Sequence, residues 1–296
     1  MAIPILMGAI TLSALMMKYI LYNGEDFSLV PWFVYGSIIS ATDPVAVVAL
    51  LKELGASKRL STMIEGESLL NDGTAMVIFL LFEEMLIGEE MTVGKVVGKF
   101  CRLSFLGSLV GLVAGIIVSY WLSRIHNDYV IEVNVTIFSA YLLFYLTEST
   151  SLHVSGILAL VVLGLYMTRT GKTRISIASE HAVHHVWGYI GYVAETVVFI
   201  LSGVIMGIRL KSDNSLQYFD FFKVLVAYIL LHIIRFLMIL MFYPCLKHIG
   251  YKMTFKQVIL CSYSGLRGAV GLALALKIAN NNDIIKYHGE EKGKRI

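Results

Sequence analysis

The chain has 296 residues, 57% of them hydrophobic and only 15% charged, with a mean hydropathy of +0.75. That balance excludes a soluble globular enzyme, and a formal net charge of +3 carried in short basic clusters points to no nucleic-acid partner. A bilayer-spanning helix takes about 20 mostly apolar residues, so the composition is that of an all-α polytopic membrane protein. Breaking the apolar runs at charge and turn clusters gives nine candidate spans, roughly residues 1–21, 30–52, 62–87, 102–123, 131–148, 152–168, 188–208, 220–246 and 255–279. No basic region precedes the first, so it does not read as a cleavable signal peptide.

The second span contains Ser40-Ala41-Thr42-Asp43-Pro44, an acid directly before a proline in mid-span. Pro44 removes a backbone donor and disfavours helical geometry at Asp43, so the helix is expected to break there. Breaks at membrane depth line cavities, and transporters use the exposed half-helix ends to hold ions; a capped proline kink is the plainer alternative. The third span places Glu65, Glu67, Asn71 and Asp72 ahead of the apolar run Ala75 to Phe82. At 100° per residue Glu65, Ser68 and Asp72 share one stripe, with Glu67 and Asn71 on the next. Glu65 and Glu67 could be solvated at the interface, whereas Asp72 lies about two turns deeper, where an ionisable group is a functional candidate by default.

Between the sixth and seventh spans, Thr168 to His185 is basic and reads as an interfacial amphipathic piece. Its His181, His184 and His185 have metal-like spacing, but no acidic or thiol ligand lies close in a suitable pattern, so zinc is not expected. The seventh span carries Glu195, the eighth Arg235 and the ninth Arg267. Arg235 is flanked by Ile233, Ile234, Phe236 and Leu237, so it must face an acid or a carbonyl inside the bundle. Arg267 and Glu195 could simply neutralise helix ends or pair with each other. Gly265, Gly268 and Gly271 weaken the ninth helix and suit a second break or a close crossing. Residues 281–296 form a polar tail. Cys101, Cys245 and Cys261 follow no metal or disulfide spacing and are expected to be buried thiols. Phosphate loops, catalytic triads and nucleophile elbows are absent, so no enzyme chemistry is expected.

Loops alternate sides of the membrane. One side holds Lys52, Lys58, Arg59, Arg124, Arg169, Lys172, Arg174, Lys247, Lys252 and Lys256; the other holds Lys95, Lys99, Arg102, Arg209, Lys211 and Lys223. The positive-inside bias assigns the first group to the cytoplasm. Met1 then starts inside and the tail emerges outside. The sequon Asn134-Val135-Thr136 falls at the cytoplasmic end of the fifth span and is expected to carry no glycan.

The strings SATDPVAVVALLKELGAS (Ser40 to Ser57), IEGESLLNDGTA (Ile64 to Ala75), AETVVFILSGV (Ala194 to Val204) and GLRGAVGLALAL (Gly265 to Leu276) resemble the Na+/H+ exchangers of the monovalent cation/proton antiporter superfamily. The first two are most similar to the branch of plant salt-tolerance antiporters and sperm-specific exchangers. The resemblance implies a fold of about thirteen spans, with a dimerisation domain beside a core of two inverted repeats whose broken middle helices cross. Residues 1–87 would be the first repeat, 88–208 scaffold and dimer-domain helices with a connector at 168–187, and 209–280 an incomplete second repeat. It further implies electroneutral, one-for-one exchange of Na+ and H+ by alternating access. Asp72 would be the carrier and Na+ site, with Asn71 beside it, Thr42 and Asp43 lining the cavity, and Glu67, Glu195, Arg235 and Arg267 as supporting charges. Asp43 would balance the positive ends of half-helices and Arg267 the negative ends. No cofactor is implied beyond transported Na+ and H+; a homodimer in the lipid bilayer, at the plasma membrane, is.

Against that pattern the chain begins inside what resembles the fourth family span, and its tail is polar where the family continues into a last apolar helix. Two hypotheses follow: a fragment or partial form of an antiporter, or a truncated, non-transporting regulatory subunit of a full-length exchanger. A channel fits less well, since no filter-like repeat is visible.

Overall fold

A computed structural model describes residues 2–21, 28–88, 92–125, 128–149, 154–212, 218–248, 254–279 and 281, and the described residues are helical throughout, joined by short turns. Most of the polar tail lies outside them. The helices are α1 (Ala2–Met16, continued by a wider π turn to Leu21), α2 (Leu29–Ser40), α3 (Val45–Glu53), α4 (Lys58–Leu86), α5 (Val93–Cys101) and α6 (Gly107–Leu122). They are followed by α7 (Tyr129–Glu148), α8 (Gly156–Arg169), α9 (Ile177–Ser212), α10 (Tyr218–His248), α11 (Phe255–Tyr263) and α12 (Ala269–Ala279). Among the described residues five stretches are long and apolar enough to cross a membrane, within α1, α5–α6, α7, α9 and α10; α2, α8 and α12 are shorter apolar helices.

The second candidate span is two helices, α2 and α3, parted at Ala41–Pro44, and the ninth is α11 and α12, parted at Ser264–Gly268. Two expected boundaries need correction. The fourth span starts at Val93 rather than near residue 102, because a π turn at Arg102–Leu106 carries the helix through without a stop. The piece from residue 168 to 185 is not a separate interfacial element. A single turn at Gly171–Arg174 ends at Ile175, and α9 then runs unbroken for 36 residues through the histidines.

The chain divides into two compact units, residues 1–90 with 202–296, and residues 91–201. In the first, α1 packs on α2 and α4, with Gly36 set against the Ile10 carbonyl, where a Cβ would come within 2.7 Å. Val47, Val48, Leu51, Leu60, Ile64, Ile239 and Val258 make one apolar cluster there. Gly55, at φ +69°, makes the turn from α3 into α4 in a conformation other residues resist.

In the second unit, Gly107, Gly111 and Gly115 recur every four residues on α6 and let it approach Ser155, Ala159 and Tyr166 at α8. Asp128 caps α7 through Val130 N and Ile131 N. Glu132, fully buried, accepts from the backbone N–H of Ser176 at 3.1 Å and from its hydroxyl at 2.8 Å, placing an anion at the N-terminus of α9. Glu132→Ala, which leaves those buried donors without an acceptor, is expected to lower stability by about 2 kcal/mol in a thermal unfolding series.

Outward-facing surfaces on α9 and α10 are apolar, with Phe199, Ile200, Leu201, Phe222 and Val224 more than half exposed. That suits lipid, whose tails are as apolar as leucine. The same reason corrects the cysteines: Cys101 and Cys245 are exposed and only Cys261 is buried, since a lipid-facing helix does not need to hide a thiol.

Candidate functional site

In the first unit the two helix breaks face each other. Pro44 ends hydrogen bonding from α2, and α3 restarts with the Asp43 carboxylate accepting from Val45 N at 3.0 Å, an anion on the first turn of a half-helix. The Asp43 N–H donates to the Leu266 carbonyl at 2.7 Å, joining the two unwound segments as a single antiparallel bridge. Gly268 is required there, because a Cβ would fall on the Asp43 carboxylate, and one at Gly271 would come within 3.0 Å of the Ile38 carbonyl.

α4 passes beside this crossing. Asp72 Oδ1 accepts from Thr42 N at 3.2 Å, a backbone donor that the break has released from the helix ladder. Asn71 Nδ2 donates to the Thr42 hydroxyl at 3.4 Å, and that hydroxyl in turn donates to Ser68 Oγ at 3.3 Å. The Ser68 hydroxyl donates to the Thr42 carbonyl. Thr42, Ser68 and Asn71 are buried, while Asp72 and Asp43 are half-buried and border a cavity of about 300 Å³. Its remaining walls include Glu65, Leu69, Gly268 and Gly271. Oxygen atoms dominate the polar lining, which is the donor set a hard cation takes.

Behind this cavity, Arg235 Nη2 donates to Glu67 Oε1 at 3.0 Å and to the Cys261 carbonyl at 3.1 Å, with Nε adding a second bond to that carbonyl at 3.3 Å. The acid that Arg235 faces is therefore Glu67, and its carbonyl is one at the C-terminal end of α11. The Cys261 carbonyl near the end of that half-helix is met by Arg235 and by the Ser264 hydroxyl at 2.9 Å, and Arg267 makes a long 3.4 Å bond to Gly265 O just beyond it. Arg267 shares a small cavity with Ser13, Ser40, Glu67, Asn71 and Arg235. Glu195 is exposed on α9 within the second unit. Glu65 pairs with Lys52 at 3.0 Å, with both side chains largely in solvent.

Three acids and bases outside the expected set proved to be paired: Glu132, described above, and Glu83 with Lys277 at 2.8 Å. In the sequence Glu83 and Lys277 each close an apolar run, whereas Glu132 stands in the first turn of α7. Among the described residues no group of three or more His, Cys, Asp or Glu is arranged to hold a metal ion, the histidines of α9 included. A larger cavity of about 620 Å³ in the second unit has mostly apolar walls, and its charged residues Lys172 and Glu180 bond to each other at 2.7 Å.

The sodium/hydrogen exchanger transmembrane family matches residues 1–286. Sodium/hydrogen exchanger 7 of Arabidopsis thaliana is 41% identical over 262 residues, covering 86% of this chain and 22% of the relative. Sodium/hydrogen exchanger 8 of the same plant is 38% identical over 265 residues, covering 88% and 34% respectively. The Na(+)/H(+) antiporter ApNhaP of Aphanothece halophytica is 33% identical over 246 residues. The chain thus spans between a fifth and a third of the length of the two plant relatives. Among solved structures, that of the sodium proton antiporter MjNhaP1 from Methanocaldococcus jannaschii aligns with a TM-score of 0.69 at 20% identity, covering 96% of this chain and 70% of the other. That likeness is one of fold.

Proposed function

This chain belongs to the sodium/hydrogen exchanger family, and from that premise we propose that it carries the transport core of a secondary antiporter that exchanges Na+ for H+ at Asp72. The observation that carries the reading is the half-buried Asp72 carboxylate, held by the freed N–H of Thr42 at the edge of a cavity that two helix breaks create. A carboxylate there is neutral when protonated and charge-balanced when it holds one Na+. Asn71 beside it does not titrate, so each half-cycle carries one charge and the exchange is electroneutral. Asp43 and Thr42 supply oxygen atoms to the same cavity, Asn71 steadies the Thr42 hydroxyl from behind it, and the Glu67–Arg235 pair with Arg267 supports the second break. Alternating access would move residues 1–87 and 209–280, as two inverted repeats, against the scaffold of residues 88–208.

Membership of the plant salt-tolerance and sperm-exchanger branch is supported by the higher identity to the two plant exchangers than to the cyanobacterial antiporter. A homodimer at the plasma membrane and a role for Glu195 belong to the same reading.

The test is Na+-dependent proton flux in proteoliposomes containing this chain, followed with a trapped pH dye. Flux is the expected result. Correctly inserted chain without flux would favour a fragment or a regulatory subunit instead, and pairing with a full-length exchanger would single out the subunit. Because Na+ and H+ compete for one carboxylate, acidification weakens Na+ binding. Under full competition the apparent Na+ affinity falls by about tenfold per pH unit, and a pH-independent affinity would remove Asp72 as the shared site.

A further inference from the structure

Besides Glu65 with Lys52 and Glu67 with Arg235, α4 carries a further ion pair, at the end away from the cavity. The cavity-lining residues Glu65, Ser68, Leu69 and Asp72 run from Asp72 back toward Lys58. In the other direction, Gly73, Thr74, Ala75, Met76, Val77, Ile78 and Phe79 are buried without interruption, and Leu81 and Glu83 are buried beyond them. Nearly two turns of consecutive buried residues present every direction around a helix, so α4 is covered on all sides there. Asp72 is therefore reached from the Lys58 end and sealed toward the Leu86 end.

Glu83 sits at the far end of that seal, eleven residues or about 16 Å along the axis from Asp72. Its carboxylate accepts from Lys277 Nζ at 2.8 Å and from Asn281 Nδ2 at 3.2 Å, and Lys277 Nζ lies 5.4 Å from the centre of the Phe79 ring. Lys277 ends α12, whose first turns contribute Val270 and Gly271 to the cavity wall. α12 packs on α2 and meets α4 at both ends, at the cavity through Val270 and Gly271 and at the closed end through Lys277, and the unwound, glycine-bearing segment Ser264–Gly268 stands at its base.

We propose that the Lys277–Glu83 pair is a gate, which keeps the Leu86 end of the pathway shut and parts, as α12 turns about the break at Ser264–Gly268, when Asp72 is exposed to that side. The inference rests on the transport reading of Asp72. Glu83 is only 6% exposed, so its charge depends on a partner; without one, the carboxylate is best solvated by admitting water into the sealed segment. Lys277 is also a basic residue in the last turn of a helix, where it would favour the helix dipole whatever faces it. Swapping the charges separates the two roles, because the swapped pair restores the gate and opposes the dipole.

The experiment uses the full chain in oriented membrane vesicles, with Cys101→Ser, Cys245→Ser, Cys261→Ala and a reporter thiol at Thr74→Cys in the sealed segment. A membrane-impermeant thiol reagent is added from the Leu86 side. The expected result is slow labelling in this parent, about tenfold faster labelling with Lys277→Met, and a return toward the parent rate with Glu83→Lys/Lys277→Glu. Lys277→Gln, which likewise leaves the Glu83 carboxylate without a cation, gives the same comparison if Lys277→Met does not accumulate. Equal labelling in parent and single variants, or a swapped pair labelling as fast as the singles, would overturn the gate. Labelling needs no transport, so absence of Na+-dependent flux from the unmodified chain would sink the exchange reading while the labelling rates still judge the gate.

Discussion

Asp72→Asn is expected to reduce Na+-dependent proton flux by at least about a hundredfold, to the level of empty liposomes, while changing stability by less than about 1 kcal/mol. The two side chains have the same shape, and the asparagine oxygen can still accept from Thr42 N at the 3.2 Å separation seen for the carboxylate. What is lost is the charge that attracts Na+ and the basic oxygen that takes the proton, so both substrates lose their site together. Stability is expected to hold because Asp72 makes no ion pair among the described contacts; its partner is a neutral N–H. The check pairs a dye-based flux assay with thermal unfolding of the same purified protein. Flux retained in a folded Asp72→Asn protein would rule out Asp72 as the carrier. Loss of flux together with loss of folding would instead make Asp72 a structural residue.

Asp43 and Pro44 were legible because the signal is local: proline cannot donate and disfavours helix one residue back, so the break needs no knowledge of the rest of the chain. Asp72 was legible because a carboxylate about two turns deeper in the span than Glu65, directly before the apolar run, has no ordinary explanation. Partners were not legible. Arg235 finds Glu67 across 168 residues and Lys277 finds Glu83 across 194, and no periodicity encodes contacts of that range. The 36-residue α9 was misjudged from its basic, histidine-bearing start, because the buried Glu132 that receives the helix N-terminus lies 44 residues upstream. Thr42 was read as a cavity residue, but its use of N–H, hydroxyl and carbonyl toward three residues of α4 follows from the backbone released by the break.

Arg235→Met is expected to be the most destabilising single change in the first unit, at about 3 kcal/mol, because it leaves Glu67 without its donor and the Cys261 carbonyl with only the Ser264 hydroxyl, at 2.9 Å. Glu67, with a side chain 22% exposed, would keep a charge it can only partly solvate, and the Cys261 carbonyl at the end of α11 would lose both of its guanidinium bonds. Arg235→Lys should recover little of this, since one ammonium cannot reproduce a planar fork that grips a carboxylate and a carbonyl together. Glu67→Gln alone should cost less, because the arginine keeps the carbonyl. The double variant Glu67→Gln/Arg235→Met should therefore cost less than the two single losses added together, the non-additivity expected of residues in direct contact. The guanidinium also occupies the space where a Cβ of residue 265 would project, so Gly265→Ala should displace it and produce a milder form of the same defect. Thermal unfolding of this set in detergent decides the matter. If Arg235→Met were as stable as the parent, the Glu67–Arg235 pair would not be what holds the second helix break, and the Asp43–Leu266 bridge with the Ser264 and Arg267 contacts would have to suffice.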